Sequence, residues 1–126
     1  MIYACSRASV PARVKMWRDL RDQGISFSSS WIDDQDDALL SDGPNFWEKC
    51  IKEVLSSSRL ILYVEENDFP LKGSLVEIGA ALSNDIPVYV VAKDIVVDQE
   101  TFRPLGSWIT HPLVKLVSSL EEAISA

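Results

Sequence analysis

A strand followed by the start of a helix, near the middle of the chain, most constrains the fold. The run 59–64, Arg-Leu-Ile-Leu-Tyr-Val, is apolar after its first residue and is bounded by polar residues. A continuous apolar run of this length predicts a strand buried on both faces, as in a parallel sheet. A loop follows, and the sequence from Gly73 to Ala81 is typical of a helix. The centre of the chain therefore predicts one β-loop-α unit.

Similar units recur along all 126 residues, without a linker, low-complexity stretch or internal repeat. We predict a single domain over residues 1–126. Alternation of strands and helices predicts an α/β three-layer sandwich, flavodoxin-like or Rossmann-like, with a five-stranded parallel sheet in the order 2-1-3-4-5. The predicted strands are 2–5, 25–28, 59–64, 87–91 and 114–117. In that order the turns after strands one and three face each other across one crevice.

Composition excludes several classes of function. The net charge of −7 argues against a nucleic-acid partner or an anionic membrane surface, because proteins that bind such surfaces carry a basic face. No apolar run approaches the roughly 20 residues of a membrane span, and the first residues do not resemble a signal peptide, so we predict a cytoplasmic protein. Cys5 and Cys50 are expected to be reduced core residues. With a single His, no metal site or cofactor is predicted.

Glu77 is the candidate catalytic residue. Gly73 permits an unusual backbone shape, and Ser74 with Glu77 matches the capping-box spacing, so Glu77 could simply cap its own helix. Local pattern alone leaves both roles open. The location favours chemistry, because ligands of open parallel sheets bind beyond the carboxyl ends of the strands, beside helix N-termini. A carboxylate in the first helical turn is expected to stay ionised and to be available as a nucleophile.

The pattern Gly-Ser-x-x-Glu-Ile-Gly-Ala-Ala, from Gly73 to Ala81 after a hydrophobic strand, resembles the signature of the nucleoside 2-deoxyribosyltransferase family. The resemblance implies that Glu77 attacks the anomeric carbon of a nucleoside or nucleotide sugar. Tyr3, at the end of strand one, would orient Glu77 or the sugar. Ser74 would bind a sugar hydroxyl or a phosphate oxygen.

The turn after strand one is a candidate anion seat. Ser6 and Arg7 stand between a strand and a helix start, where backbone N–H groups favour anions, and Arg binds phosphate in a bidentate way. A solvated surface charge is the alternative for Arg7. In the relatives of the resembled family that cleave nucleoside monophosphates, a similar turn binds the phosphate.

Three further residues are candidates for substrate contacts. Trp31 follows the second predicted strand, where an exposed indole would suit stacking on a flat base, although packing beneath the loop is the alternative. The resembled family covers the base with this loop, which makes Trp31 and Asp33 candidates for base and sugar contacts. Trp47 opens the next helix and could reach the same mouth or belong to the core. The acidic run 33–37 is expected to be solvated, because its spacing does not match a calcium loop.

The sequence departs from the resembled family at two positions. Leu71 stands six residues before Glu77, where the family has an Asp, and Ile51 is near a second acidic position in the preceding helix. Three interpretations remain: an N-glycoside hydrolase or transferase, a TIR-like enzyme that cleaves NAD, and a non-catalytic nucleotide-binding module. A homodimer or larger assembly is also expected, because Trp31, Trp47 and Trp108 lie near loops or helix ends and the family completes its sites across subunits.

Overall fold

The computed structural model describes residues 1–33 and 42–126 as an α/β fold with a parallel sheet. Its strands are β1 (Ile2–Cys5), β2 (Arg59–Val64), β3 (Val88–Ala92) and β4 (Val114–Val117). Its helices are α1 (Pro11–Asp22), α2 (Gly43–Leu55), α3 (Gly73–Ser83) and α4 (Leu120–Ser125). Three short 3-10 turns cover Ser30–Asp33, Glu66–Asp68 and Ser107–Thr110.

The sheet has the order β1-β2-β3-β4, with every neighbouring pair parallel. This confirms the parallel sheet and the relative order of four predicted strands. The prediction of a fifth strand at 25–28 is wrong. In the described part of the chain, that segment contributes an isolated parallel bridge between Ile2 and Phe27, on the free side of β1.

Side chains complete the edge of β1 in place of the fifth strand. Just beyond the bridge, the backbone N–H of Ala4 donates to Oγ of Ser29 at 3.0 Å. The carbonyl oxygen of Ala4 accepts from the indole N–H of Trp31 at 2.8 Å. Because Ala4 is fully buried, both backbone groups need partners. The chain can therefore leave the sheet after one bridge without leaving the β1 backbone unsatisfied.

Helices pack on both faces of the sheet. On one face, the guanidinium of Arg13 from α1 lies 5.5 Å from the ring centroid of Tyr63. Successive residues of a strand point to opposite faces, so Leu60 points away from Tyr63. Tyr3 pairs with Leu60 in register and bonds Glu77 of α3 on that second face. The sheet is thus covered by α1 on one side and by α3 on the other.

The next two features concern membrane spanning and metal binding. Among residues 1–33 and 42–126, no helix is long and apolar enough to cross a membrane. Within the same ranges, no group of three or more His, Cys, Asp or Glu residues is arranged to hold a metal ion. Residues 34–37 of the predicted acidic loop lie outside the described residues.

We expect Ser29→Ala to lower the free energy of unfolding by about 1–3 kcal/mol, because the buried N–H of Ala4 would lose its acceptor. Urea denaturation measures the change. Ser83→Ala, which removes an exposed hydroxyl bonded within α3, is the matched control and should have little effect. Equal stability of the two variants would show that Ser29 does not support the β1 edge.

Candidate active site around Glu77

Helix α3 begins two residues earlier than the capping pattern predicts, because that pattern makes Ser74 the N-cap. Its first residue is Gly73, its N-cap is Lys72, and the cap residue makes no side-chain hydrogen bond. The Ser74–Glu77 capping box is therefore wrong, and so is the placement of Glu77 in the first turn. Glu77 lies at the fifth helical position, where the field of the helix terminus has largely faded. Its carboxylate is free to bond elsewhere.

Both oxygens of that carboxylate bond to β1. The phenol of Tyr3 donates to Oε2 of Glu77. The thiol of Cys5 donates to Oε1 across 3.7 Å. Tyr3 and Cys5 are two apart in one strand, so they point to the same face of the sheet. The strand alternation thus delivers two donors to one carboxylate that is far away in sequence.

Burial raises the pKa of Glu77 to about 7. The hydrogen bonds from Tyr3 and Cys5 act in the opposite direction, and the nearby charge of Glu53 adds to the rise. Loss of hydration disfavours the charged form more than the two donors favour it. The expectation that Glu77 stays fully ionised is therefore wrong. Near neutral pH it exchanges between an acid and a carboxylate, as general acids, bases and activated nucleophiles do.

The donors around Glu77 keep their protons. Burial and the Glu77 charge raise the pKa of the Tyr3 phenol far above its usual value. Burial also raises the pKa of the Cys5 thiol, with the Glu77 charge adding to the effect. Burial raises the pKa of Cys50, from α2, to about 11. All three groups therefore remain neutral across the range in which Glu77 titrates.

Helix α2 adds two residues that the sequence reasoning did not assign to the site. Cys50 is buried, and Tyr3 lies near enough to its thiol to oppose part of the rise in the Cys50 pKa. Glu53 accepts a hydrogen bond from the backbone N–H of Ser30 at 3.2 Å and raises the pKa of Glu77 through its charge. The signal was their spacing, because Cys50 and Glu53 follow Trp47 at three-residue steps on a helix, which brings their side chains onto neighbouring positions.

Trp47 lies against the start of α3. A Cβ atom placed on Gly73 would approach Cη2 of the Trp47 indole to 2.9 Å, closer than real Cβ contacts. Gly73 and Glu77 are four apart, so they share one face of the helix. Trp47 is partly buried and lies over that face, one turn before the carboxylate. Of the two aromatic candidates Trp31 and Trp47, Trp47 is therefore the one that packs on the face of α3 that carries Glu77.

The turn after β1 lies next to the loop after β2. Arg7 is exposed, and its Nη1 donates to the carbonyl oxygen of Asn67 at 3.3 Å. Ser74, on the first turn of α3, lies near the Cys5 thiol and acts to lower its pKa. Ser6 points elsewhere, because its buried Oγ accepts from the indole N–H of Trp17 in α1 at 2.8 Å. Tyr3, Ser74 and Glu77 come together, while Ser6 packs against α1.

Trp31 bonds to β1 and Asp33 to α1. Trp31 is 7% exposed and bonds the β1 backbone, which is the packing alternative that the sequence left open. Asp33 is exposed and forms ion pairs with Arg18 and Arg21 of α1. The charge-assisted hydrogen bond from Arg21 lowers the pKa of Asp33. In this structure both residues contact α1 or β1.

A buried ion-pair network holds the acidic residues that follow β2. Both carboxylate oxygens of Asp68, which is 2% exposed, accept from Arg13, with Nε–Oδ2 and Nη2–Oδ1 distances of 3.1 and 3.2 Å. Glu65 pairs with Arg13 at 3.3 Å and accepts from the phenol of Tyr63. These carboxylates fasten the loop to α1.

Comparison of the chain with protein-family models, with curated proteins and with solved structures finds no match.

We expect the stability of the protein to depend on pH through Glu77. Its folded pKa, about 7, exceeds the ordinary value of 4.5, so between these values the folded chain binds more protons than the unfolded chain. The free energy of unfolding therefore falls as pH rises through this window. Glu77→Gln removes the charge and should stabilise the protein by roughly 2–3 kcal/mol at about pH 8, with little gain at about pH 5.

Urea unfolding of wild type and Glu77→Gln at the two pH values measures this difference, because contributions from other groups cancel. Glu48→Gln is the matched control, since Glu48 is exposed on α2 and pairs with Lys52 at the surface. A gain for Glu77→Gln that is the same at both pH values would contradict the coupling.

Proposed function

We propose that this protein cleaves the N-glycosidic bond of a nucleoside or nucleoside monophosphate, with Glu77 as the nucleophile. The observation that carries the proposal is the carboxylate of Glu77, which is partly buried on α3 and accepts a hydrogen bond from Tyr3. A reaction at the anomeric carbon passes through an oxocarbenium-like state, which a fixed neighbouring carboxylate stabilises. We infer a flavodoxin-like, Rossmann-like sandwich in which this carboxylate lies at the crevice beside the β1 and β2 ends.

The reaction has two steps. In the first, a carboxylate oxygen of Glu77 forms a bond to the anomeric carbon while the C–N bond breaks. The bonding pair leaves with the base, which takes a proton from water. In the second, water attacks the same carbon and releases the sugar with Glu77 regenerated, or a second base does so in a transfer reaction. Tyr3 stays protonated throughout and fixes the orientation of the carboxylate.

Neighbouring groups support a nucleotide as the substrate. Arg7 is exposed in the turn after β1 and still has guanidinium N–H groups to offer a phosphate. Trp47, against Gly73, provides an aromatic surface near the carboxylate for a flat base. Glu53 lies late in α2, where the resembled family has an acidic residue that holds the sugar. The free thiols of Cys5 and Cys50 are consistent with a reducing compartment such as the cytoplasm.

We expect wild type to release free base from a nucleoside or its monophosphate, and Glu77→Gln to lose this activity by at least about a thousandfold. Activity should rise with pH to a plateau above about 7, because the ionised carboxylate is the nucleophile. Chromatography after incubation with deoxynucleosides, ribonucleosides, their 5′-monophosphates and NAD measures the released base.

The Glu48→Gln variant is the folded control for this assay. Base release by Glu77→Gln at the wild-type rate would exclude Glu77 as nucleophile. Release from NAD alone would favour the TIR-like interpretation. A preference for monophosphates that disappears in Arg7→Ala would support the phosphate role of Arg7.

We further propose that the protein forms a homodimer through the outer face of α3. Glu77 is the ionisable residue of this helix, and it points inward, so the outer face is uncharged. Leu75 and Val76 are 41% and 55% exposed there. Two chains of net charge −7 approach each other most easily at a surface without charge. Trp31 no longer supports assembly, because it is buried within one chain.

An apolar depression adjoins this face of α3. It measures about 420 Å³ and is lined by Phe69, Pro70, Leu71, Leu75, Pro104 and Leu105. Leu71 is the residue that replaces the family Asp, so a second chain packed here would also lie beside the incomplete part of the sugar site. The depression and the exposed residues of α3 form one apolar surface, which is typical of an interface core.

We expect wild type to show twice the monomer mass in light scattering at micromolar concentration, and Val76→Lys to show the monomer mass, because a desolvated Lys disfavours association. Val96→Lys is the matched control, since Val96 is 91% exposed and belongs neither to α3 nor to the lining of the depression. A monomeric and active wild type would eliminate both the interface and a site shared between subunits.

A further inference from the structure

We propose that Cys5 is a positioning residue that aims Oε1 of Glu77 at the substrate, and that Oε1 is the oxygen that attacks the anomeric carbon. The inference rests on the proposed function and deepens it. Its starting point is that the two carboxylate oxygens of Glu77 accept hydrogen bonds from different kinds of donor. Oε2 accepts from the phenol of Tyr3, whereas Oε1 accepts from a thiol across 3.7 Å.

The two donors differ greatly in strength. A phenol O–H is a strong donor, and its hydrogen bond occupies a lone pair of Oε2 and draws negative charge onto that oxygen. A thiol S–H is a weak donor, and its bond to Oε1 restricts rotation of the carboxylate without binding the oxygen tightly. Oε1 therefore keeps the more available lone pair while its direction remains set by the sulfur.

The environment of the carboxylate supports this division of roles. Tyr3 and Cys5 face it from β1, Cys50 and Glu53 face it from α2, and Ser74 lies one turn away on α3. The Glu53 charge repels the Glu77 charge and makes ionisation harder. Cys50 lies near Tyr3, and Ser74 lies near the Cys5 thiol. Each donor of Glu77 thus has a polar neighbour from a second element.

In the reaction, a lone pair of Oε1 forms the O–C bond as the C–N bond breaks and the base takes a proton from water. The thiol keeps its proton, because the pKa of Cys5 is raised well above its usual value. Cys5 forms no covalent bond in either step. Its contribution is the angle at which Oε1 meets the anomeric carbon, and small errors in such an angle slow reactions strongly.

Infrared spectroscopy of the S–H stretch tests the contact without turnover, because no other protein group absorbs in that region. Cys5→Ala and Cys50→Ala identify the two S–H bands by their disappearance. As Glu77 ionises, the S–H···O bond strengthens and the Cys5 band should move to lower frequency, with a midpoint at about pH 7. In Glu77→Gln the Cys5 band should not move with pH.

Kinetics test the consequence for the reaction. Cys5→Ala should lower kcat between about tenfold and a hundredfold with KM nearly unchanged, because it misdirects the nucleophile without touching the ligand. The rise of activity with pH should also shift to higher pH, since a donor to the charged form is lost. Cys5→Ser restores a donor and should recover part of both effects. Thermal unfolding of each variant checks that the fold is retained.

A Cys5 band that ignores pH in wild type, or a Cys5→Ala variant with wild-type kcat and pH profile, would overturn the inference. Equal losses in Cys5→Ala and Cys5→Ser would also do so, because a packing role of sulfur would then explain them. A pH-dependent Cys5 band in a wild type that cleaves none of the substrates would overturn the proposed function and the assignment of Oε1, while the contact itself would stand.

Discussion

The contact between β1 and the Glu77 carboxylate is the interaction on which the rest of the site depends. Placing a carboxylate in a partly buried position costs hydration, and Tyr3 and Cys5 offset part of that cost. The remainder appears as a pKa of about 7. The Glu77 carboxylate is therefore easily protonated and easily ionised at neutral pH. It lies where a strand and a helix from distant parts of the chain meet.

The backbone of β1 is set by the residues at its free edge. Ala4 lies between the two donors of Glu77, and its N–H and carbonyl groups are bonded by Ser29 and Trp31. A change at Ser29 or Trp31 would shift the strand that presents Tyr3 and Cys5. Trp31 thus affects the site through its hydrogen bond to the β1 backbone.

The loops at the carboxyl ends of β1 and β2 are fastened to each other and to α1. Arg13 binds the buried carboxylate of Asp68 with two hydrogen bonds, and Arg7 reaches the carbonyl oxygen of Asn67. A buried pair of this kind resists the loss of either partner strongly, because the remaining charge would be left unpaired. The loop that leads to Gly73 is consequently held in place, which keeps α3 and Glu77 in a defined position relative to β1.

Patterns within the chain were sufficient for some features and insufficient for others. Apolar runs and helix spacing predicted the four strands of the sheet, their order and the helix that carries Glu77, because those signals are local or follow from general rules of α/β connection. The fifth strand was wrong because side chains of Ser29 and Trp31 satisfy the β1 edge, and such a contact has no sequence signature. The capping alternative for Glu77 was wrong because its carboxylate bonds to a distant strand and not to its own helix. Only the tertiary structure places Tyr3 and Cys5 within reach. The sequence by itself therefore determined four strands of the sheet and the helix that carries Glu77. The tertiary structure decided its protonation, its donors and the face it shares with Trp47, because burial and hydrogen bonding depend on residues that are brought together only by folding.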